Sequence, residues 1–276
     1  MTTDKRAEIA AYRANPAINA STLKAARTSM KHARHAYQRG DMEPTAAMEL
    51  GTAVHAMLAS LAGTSPVSGV VRYEGRRAGK DWEAFALAHA DDIILPSAAH
   101  DTACAMHAAA APMLNDLIRI GGAGEFEKPV YWERDGVKCK ALPDLMQEKQ
   151  IVDFKTTTAI DPRTIERNSY ASGWHLQMGW YMDAHAVAFP KAERPTVWIL
   201  AIESKPPHDA VLYRMDDDAL DHGRKEAREL AIRFNSCLQT NSFPGIQAGG
   251  LPLALALPTW VESTSAGMED LDPASI

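Results

Sequence analysis

The 276-residue sequence predicts an α/β domain: a helical N-terminal part over residues 1–124, then a sheet with helices on both of its faces over residues 125–260. Three observations carry that expectation. Apolar residues recur at helical spacing from about Ser21 to Ile120. The run Gly121-Gly-Ala-Gly124 then punctuates the chain, and the apolar period after it becomes two. Helical spacing returns in stretches that flank a second pair of alternating segments. No repeat of 20–50 residues interrupts this order.

Composition narrows the class. Hydrophobic residues at 46% and charged residues at 23% are the ordinary mixture of a soluble globular protein, which excludes a disordered or fibrous chain. The longest apolar run, near Leu251–Leu257, is far short of the roughly 20 residues needed to cross a bilayer. Met1–Arg6 carries both signs of charge with no apolar stretch after it, so a cytoplasmic chain without a secretory signal or membrane partner is expected. Cys104, Cys139 and Cys237 are odd in number and widely spaced. They are expected as reduced thiols and cannot build a four-cysteine zinc or iron–sulfur site within one chain. The net charge of −6, from 29 basic and 35 acidic residues, speaks against nucleic acid when taken whole. Its distribution speaks differently: Ile9–Gly40 holds Arg13, Lys24, Arg27, Lys31, Arg34 and Arg39 without an acid. Residues 261–276 hold Glu262, Glu269, Asp270 and Asp272 without a base, and are expected to form an acidic, flexible tail.

Taken in order, the first capped helix starts at Ser21 and runs to about Gln38. Lys24, Arg27, Lys31 and Arg34 recur at spacings of three and four and so share one face, either solvated or turned to an external anion. Thr45–Leu61 is the next helix, with Ala46, Leu50, Val54 and Leu58 as its apolar stripe and His55 one position away. Ser65–Lys80, with its glycines and Arg72, Arg76, Arg77 and Lys80, reads as a mobile basic loop. Helices follow at Asp81–His89 and Ala98–Ile120. Phe126–Arg134 and Val137–Met146 are expected as strands joined by the hairpin signal Asp135-Gly136. Gln150–Lys155 is a third strand, Pro162–Asn168 and Ser172–Phe189 are helices, and Thr196–Glu203 with Ala210–Met215 form another strand pair. Asp216 or Asp217 caps a last helix to about Leu238.

Chemistry concentrates at Pro143-Asp144 and Asp153-Phe-Lys155. Residues two apart on a strand point the same way, so Asp153 and Lys155 share a face, and a short turn brings Asp144 alongside. Two carboxylates and an ammonium converging on one spot suit a hard divalent cation, Mg²⁺ or Mn²⁺. The lysine can hold or deprotonate a water that attacks phosphorus. A D-x-K tripeptide by itself is common; the preceding Pro-Asp and the apolar Ile151, Val152 and Phe154 make it specific. His55, Glu127 and the pair Gln177 and Tyr181, four apart on one helical face, accompany it.

That order of motifs resembles the PD-(D/E)XK nuclease superfamily, and within it the RecE-type phage and prophage exonucleases. The matches are Leu50-Gly-Thr-Ala-Val-His55, Glu127, Pro143-Asp144, Asp153-Phe-Lys-Thr-Thr157, Gln177-x-x-x-Tyr181, Ala201-Ile-Glu-Ser-Lys-Pro-Pro207 and Leu257-Pro-Thr-Trp260. The resemblance spans Ile18 to Trp260. It implies a restriction-endonuclease-like core with a central mixed β-sheet flanked by helices, and a single domain over residues 1–260. It also implies a two-metal exonuclease that digests double-stranded DNA ends from 5′ to 3′. The remaining 3′ strand would pass to a single-strand annealing protein, and the host would be a bacterium carrying the phage or prophage. Asp144, Asp153, the Phe154 carbonyl, Glu127 and His55 would hold two Mg²⁺ ions, with Mn²⁺ able to substitute. Lys155 would activate water, while Gln177 and Tyr181 would position the strand. Relatives form rings, so a homo-oligomer is expected, a tetramer before a trimer. DNA contacts are assigned to Lys24, Arg27, Lys31, Arg34, Arg76, Arg77 and Lys80.

Two departures leave alternatives open. Leu142 stands where relatives often carry a basic residue, with Lys138 and Lys140 as substitutes on the same strand face. Glu125 shares a face with Glu127 and competes for its role. Two other functions stay open as well: an endonuclease of the same superfamily, for which no separate sequence- or junction-reading element is evident, and a catalytically inactive DNA-binding relative, against which the intact Asp144, Asp153 and Lys155 argue.

Overall fold

The computed structural model describes residues 2–38, 44–61, 69–122, 124–250, 252 and 254–256. The Leu257–Trp260 motif, Arg39 and the acidic tail over 261–276 lie outside them. A helix not expected from the sequence opens the chain, α1 (Thr2–Ala14). The helix expected from Ser21 to Gln38 is two, α2 (Ala20–Ala26) and α3 (Met30–Gln38). Asn19, not Ser21, caps α2 by accepting the Thr22 N–H at 2.9 Å. The break has a local cause: the Ser29 hydroxyl accepts the His32 N–H at 3.2 Å and so starts a new helix.

Helix α4 (Ala46–Ser60) is capped by Thr45 and buries Ala53, Val54, Ala56 and Leu58. The stretch expected as a basic loop contains strand β1 (Val70–Tyr73), which pairs in parallel with β2 (Ile93–Pro96) across α5 (Lys80–Ala88). Val70-Val71 carries the strand; the surrounding glycines obscured it. The long α6 (Ser97–Gly121) follows.

The next strands are shorter than their sequence pattern. Phe126–Arg134 divides into β3 (Gly124–Phe126) and β4 (Val130–Arg134), because Glu127 turns the chain at φ 46°. Val137–Met146 divides into β5 (Val137–Ala141) and β6 (Leu145–Gln147), since Pro143 has no N–H to give to a ladder. Asp135-Gly136 does form the β4–β5 hairpin, with both residues at positive φ (53° and 72°) as a type I′ turn requires. Then come β7 (Gln150–Thr157), α7 (Pro162–Ala171), α8 (Trp174–Ala188), β8 (Thr196–Glu203), β9 (Ala210–Arg214) and α9 (Asp217–Thr240), the last capped by Asp216.

Five strands form a mixed sheet in the order β3-β6-β7-β8-β9, with β7 and β8 parallel and the other neighbours antiparallel. Alternation along β7 and β8 feeds two cores. Ile151, Val197, Ile199 and Ala201 pack with α8 and α9. Val152, Phe154, Leu200 and Ile202 pack with α4 and α6. The sheet is thus the middle of three layers.

Candidate active site

The site forms where β6 stops and β7 continues. Ladder pairing of β6 covers only Gln150, Ile151 and Val152 of β7. Beyond Val152 the backbone of β7 on that side has no strand partner among the described residues. Asp144, immediately before β6, takes the vacancy: its Oδ2 accepts the Phe154 N–H at 2.6 Å. The C=O of a strand residue points to the same side as its N–H, so the Phe154 carbonyl is directed toward Asp144 as well.

On the α8 face of β7, Asp153 and Lys155 stand side by side, with Lys155 Nζ 2.5 Å from Asp153 Oδ2. Gln177 of α8 ties this pair together. Its Nε2 donates to Asp153 Oδ1 at 3.2 Å and to the Tyr181 hydroxyl at 3.0 Å. Its Oε1 accepts from Lys155 Nζ at 3.2 Å and from Lys24 Nζ at 3.0 Å. Tyr181 in turn donates to the Leu142 carbonyl at 3.1 Å, which fixes the Pro143-Asp144 bend.

His55 arrives from the α4 side. Its Nδ1 lies 3.2 Å from Asp144 Oδ1, and its ring meets Phe154 edge-on at 5.4 Å. Gly51, one turn earlier, allows this approach, because a Cβ there would lie 3.2 Å from Thr156 Oγ1. Glu127 sits in the β3–β4 turn, not at the start of a strand, and its N–H donates to the Asp144 carbonyl at 3.1 Å. Glu125 is exposed and paired with Lys128, so Glu127 is the glutamate at the site.

The charges interact strongly. Burial pushes the Asp153 carboxyl above its usual range, with Lys155 opposing and Asp144 reinforcing the shift. Burial and then Asp144 raise Glu127. Asp144 moves the other way: burial works against ionisation, but His55, Lys155 and the Phe154 N–H outweigh it. His55 is raised, since the attraction of Asp144 exceeds the effect of burial. Lys24 falls to about 8, by burial first and repulsion from Lys155 second.

A hard divalent cation fits this donor set. Asp144 and His55 are in contact at 3.2 Å, the Asp153 and Glu127 carboxylates lie close enough to Asp144 to interact with its charge, and Glu127 Oε2 is buried with no hydrogen-bond partner. Asp144, Asp153, Glu127, His55 and the Phe154 carbonyl are the groups that could hold it. The tightest cluster of potential ligands among the described residues lies elsewhere, at His175, His222 and Glu226.

The expected DNA-contact residues do not form one surface. The α2–α3 break ends the stripe at Arg27. Lys24 points into the site, and Arg27 Nε pairs with Glu226 at 3.1 Å while its guanidinium donates to the Tyr170 carbonyl at 2.8 Å. Lys31 is exposed, and Arg34 covers the Phe243 ring at 4.6 Å. Arg77 is committed to Glu49 and the Ile94 carbonyl; Arg76 and Lys80 are exposed. Acids from distant elements, invisible in the local charge count, account for Arg27 and Arg77. Lys140 is buried and donates to the carbonyls of Tyr12 at 2.7 Å and Asn15 at 2.5 Å, so it cannot replace a basic residue at Leu142. Lys138 is exposed. What the sequence missed is Lys24 as a member of the site: its neighbour Gln177 is 153 residues away, and only the stripe drew notice.

The family model of a PDDEXK-like domain of unknown function (DUF3799) matches residues 19–250. The chain belongs to this PDDEXK-like family. The match takes in α2 through α9 and every residue of the site. A candidate exonuclease from Eubacterium rectale superposes with a TM-score of 0.59 at 12% identity, covering 90% of this chain and 93% of that one. At that identity the likeness establishes a shared fold, and the central mixed sheet flanked by helices is the restriction-endonuclease-like core expected of a PDDEXK domain. A phage-related exonuclease from Haemophilus somnus aligns over 82% of this chain and 96% of its own, at 11% identity and a TM-score of 0.33, too low to bear on the fold. No curated protein matches the chain. No helix among the described residues is long and apolar enough to cross a membrane.

Proposed function

We propose that this PDDEXK-like protein is a Mg²⁺-dependent exodeoxyribonuclease that digests double-stranded DNA ends. The observation that carries the reading is the convergence of Asp144, Asp153 and Lys155 at the free edge of β7, with both carboxylates tied to neighbours that fix their direction. A cation bound there, with two ions as the family resemblance implies, supplies a Lewis acid for the phosphoryl oxygen and for the departing 3′ oxygen. The protein's own groups do the rest. Asp144 and Asp153, with Glu127, His55 and the Phe154 carbonyl, bind the cation. Lys155 donates a hydrogen bond that holds and orients the attacking water, whose proton leaves to solvent, with Gln177 Oε1 keeping the ammonium in register. Lys24, beside Lys155 in the site, meets a phosphate oxygen of the strand being cut.

Digestion from 5′ to 3′, delivery of the 3′ strand to an annealing protein, a closed homo-oligomeric ring and a cytoplasmic setting belong to the same proposal and rest on the resemblance of motifs. A ring with its positive potential turned inward is compatible with a net charge of −6. Linear duplexes labelled at one 5′ end or one 3′ end, incubated with Mg²⁺ beside a closed circle, test the reading. Mononucleotide release beginning at the 5′ end, with the circle intact, is expected. Cutting of the circle would make the protein an endonuclease; binding without cutting under Mg²⁺ or Mn²⁺ would make it an inactive DNA-binding relative.

A further inference from the structure

Helices α8 and α9 cross on two glycines. A Cβ at Gly223 would lie 2.0 Å from the His175 carbonyl oxygen, and one at Gly179 would lie 2.2 Å from the Arg224 nitrogen. Backbone contact of this kind places the side chains around Gly223 within reach of His175. His222 and Glu226 are four apart and share a helical face. His175 Nε2 lies 2.9 Å from Glu226 Oε2, and the His175 and His222 ring centroids are 5.7 Å apart. One ligand atom from each residue lies within 4.8 Å of those from the other two. His175 is only 5% exposed and its Nδ1 is buried without a hydrogen-bond partner, so the ring keeps a nitrogen that no protein group uses.

We propose that His175, His222 and Glu226 bind one transition-metal ion of the Zn²⁺ class, at a site separate from the carboxylate centre. The donor balance selects the ion: two imidazoles to one carboxylate suit Zn²⁺ and its neighbours, whereas the oxygen-rich set at Asp144 and Asp153 suits Mg²⁺. Two imidazoles and a carboxylate fill three tetrahedral positions with bonds of about 2.0–2.2 Å, which sets the ligand atoms roughly 3.3 Å apart. The present atoms, within 4.8 Å of one another, would close by up to about 1.5 Å on binding. The outer partner is already in place. Arg27 Nε lies 3.1 Å from Glu226 Oε1 and holds that oxygen, while Oε2, hydrogen-bonded to His175 Nε2 without the ion, would exchange that bond for the metal. Tyr170 stacks on the His175 ring at 5.0 Å and 11°, which fixes the imidazole plane. Separation from the catalytic site follows from helix geometry: residues two apart on α8 face different sides, so Gln177 turns to Asp153 and His175 turns to α9. The ion braces α8 against α9.

Zn²⁺ titrated calorimetrically into the full chain, in saturating Mg²⁺, tests the site. One Zn²⁺ per chain is expected, bound equally by wild type and Asp153→Asn, and at least tenfold more weakly by His222→Ala and by Glu226→Gln. Co²⁺ in place of Zn²⁺ is expected to give the visible absorption of a tetrahedral site in wild type and not in His222→Ala. His222 is exposed, so its replacement leaves the fold intact, which circular dichroism checks. Undiminished affinity in both His222→Ala and Glu226→Gln, loss of binding in Asp153→Asn, or no binding to wild type would each overturn the assignment.

Discussion

Gln177→Met is the perturbation that tests how the site is held together. Met keeps the length of the side chain and removes every polar contact. Four hydrogen bonds disappear: those from Lys24 and Lys155 to Oε1, and those from Nε2 to Asp153 and Tyr181. Tyr181 keeps its bond to the Leu142 carbonyl and Asp153 keeps its ion pair with Lys155, while Lys24 gives up its bond to Gln177; the change is confined to the site and the fold persists. Three of the lost bonds hold groups given a role in the reaction, and two of them, to Lys155 and Asp153, bear on the chemical step itself. A hydrogen bond to a charged group contributes about 1.5–3 kcal/mol. Losing one in the transition state lowers the rate about tenfold, and losing both about 10²-fold or more, at roughly 1.4 kcal/mol per decade. Single-turnover release of nucleotides from a linear duplex at saturating Mg²⁺ is the assay, with DNA affinity measured separately by anisotropy in Ca²⁺. The expected result is a rate about 10²-fold below wild type with the cation still bound. A rate within threefold of wild type would mean that Lys155 and Asp153 need no support from α8.

Lys24→Gln is expected to raise KM for duplex DNA severalfold and to flatten its pH dependence. The wild-type ammonium, lowered to about 8, is charged below that value and loses its phosphate attraction above it, so KM in wild type should climb through pH 8. Glu127→Gln should stabilise the cation-free protein by on the order of 1 kcal/mol near pH 8, since it replaces a buried carboxylate carrying an unpartnered oxygen. The sign follows from its raised pKa: the ionised form costs stability above that pKa, so the gain should vanish as pH falls and the wild-type group protonates. Mg²⁺ binding should release protons and weaken as pH falls, because Glu127 and Asp153 bind protons more readily than ordinary carboxylates; calorimetry in two buffers of different ionisation enthalpy measures this. Lys140→Met should lower stability by about 2–3 kcal/mol, or roughly 5–10 °C in Tm, by leaving the Tyr12 and Asn15 carbonyls without their ammonium, while the single-turnover rate stays near wild type.

Strong local signals made most of the fold legible. Asp135-Gly136, the alternating Thr196–Glu203 and the cap at Asp216 each act within a few residues, and each element appears where its pattern places it. The placement of Asp153 beside Lys155 was legible for the same reason: both are fixed by the period of a single strand. Legibility ended where distant segments decide. The breaks at Glu127 and Pro143 interrupt two runs that still alternate, and those breaks are what bring Asp144 and Glu127 together. The basic stripe misled because charge counting along the chain does not see Glu226 or Gln177, which reach Arg27 and Lys24 from the far half of the sequence. Strand β1 was lost among glycines whose turns outweighed two valines.

The proposed function requires that Asp144, Asp153 and Lys155 form a cation-dependent phosphodiester-hydrolysing site. Its most direct test is Mg²⁺-dependent nucleotide release from a linear duplex by wild type and by Asp153→Ala, measured side by side under single-turnover conditions with DNA binding checked for both. The account predicts release by wild type that stops when Mg²⁺ is chelated, and a variant that binds the duplex but releases nucleotides at least 10³-fold more slowly, a barrier increase of about 4 kcal/mol. Release by Asp153→Ala at more than a tenth of the wild-type rate would contradict it.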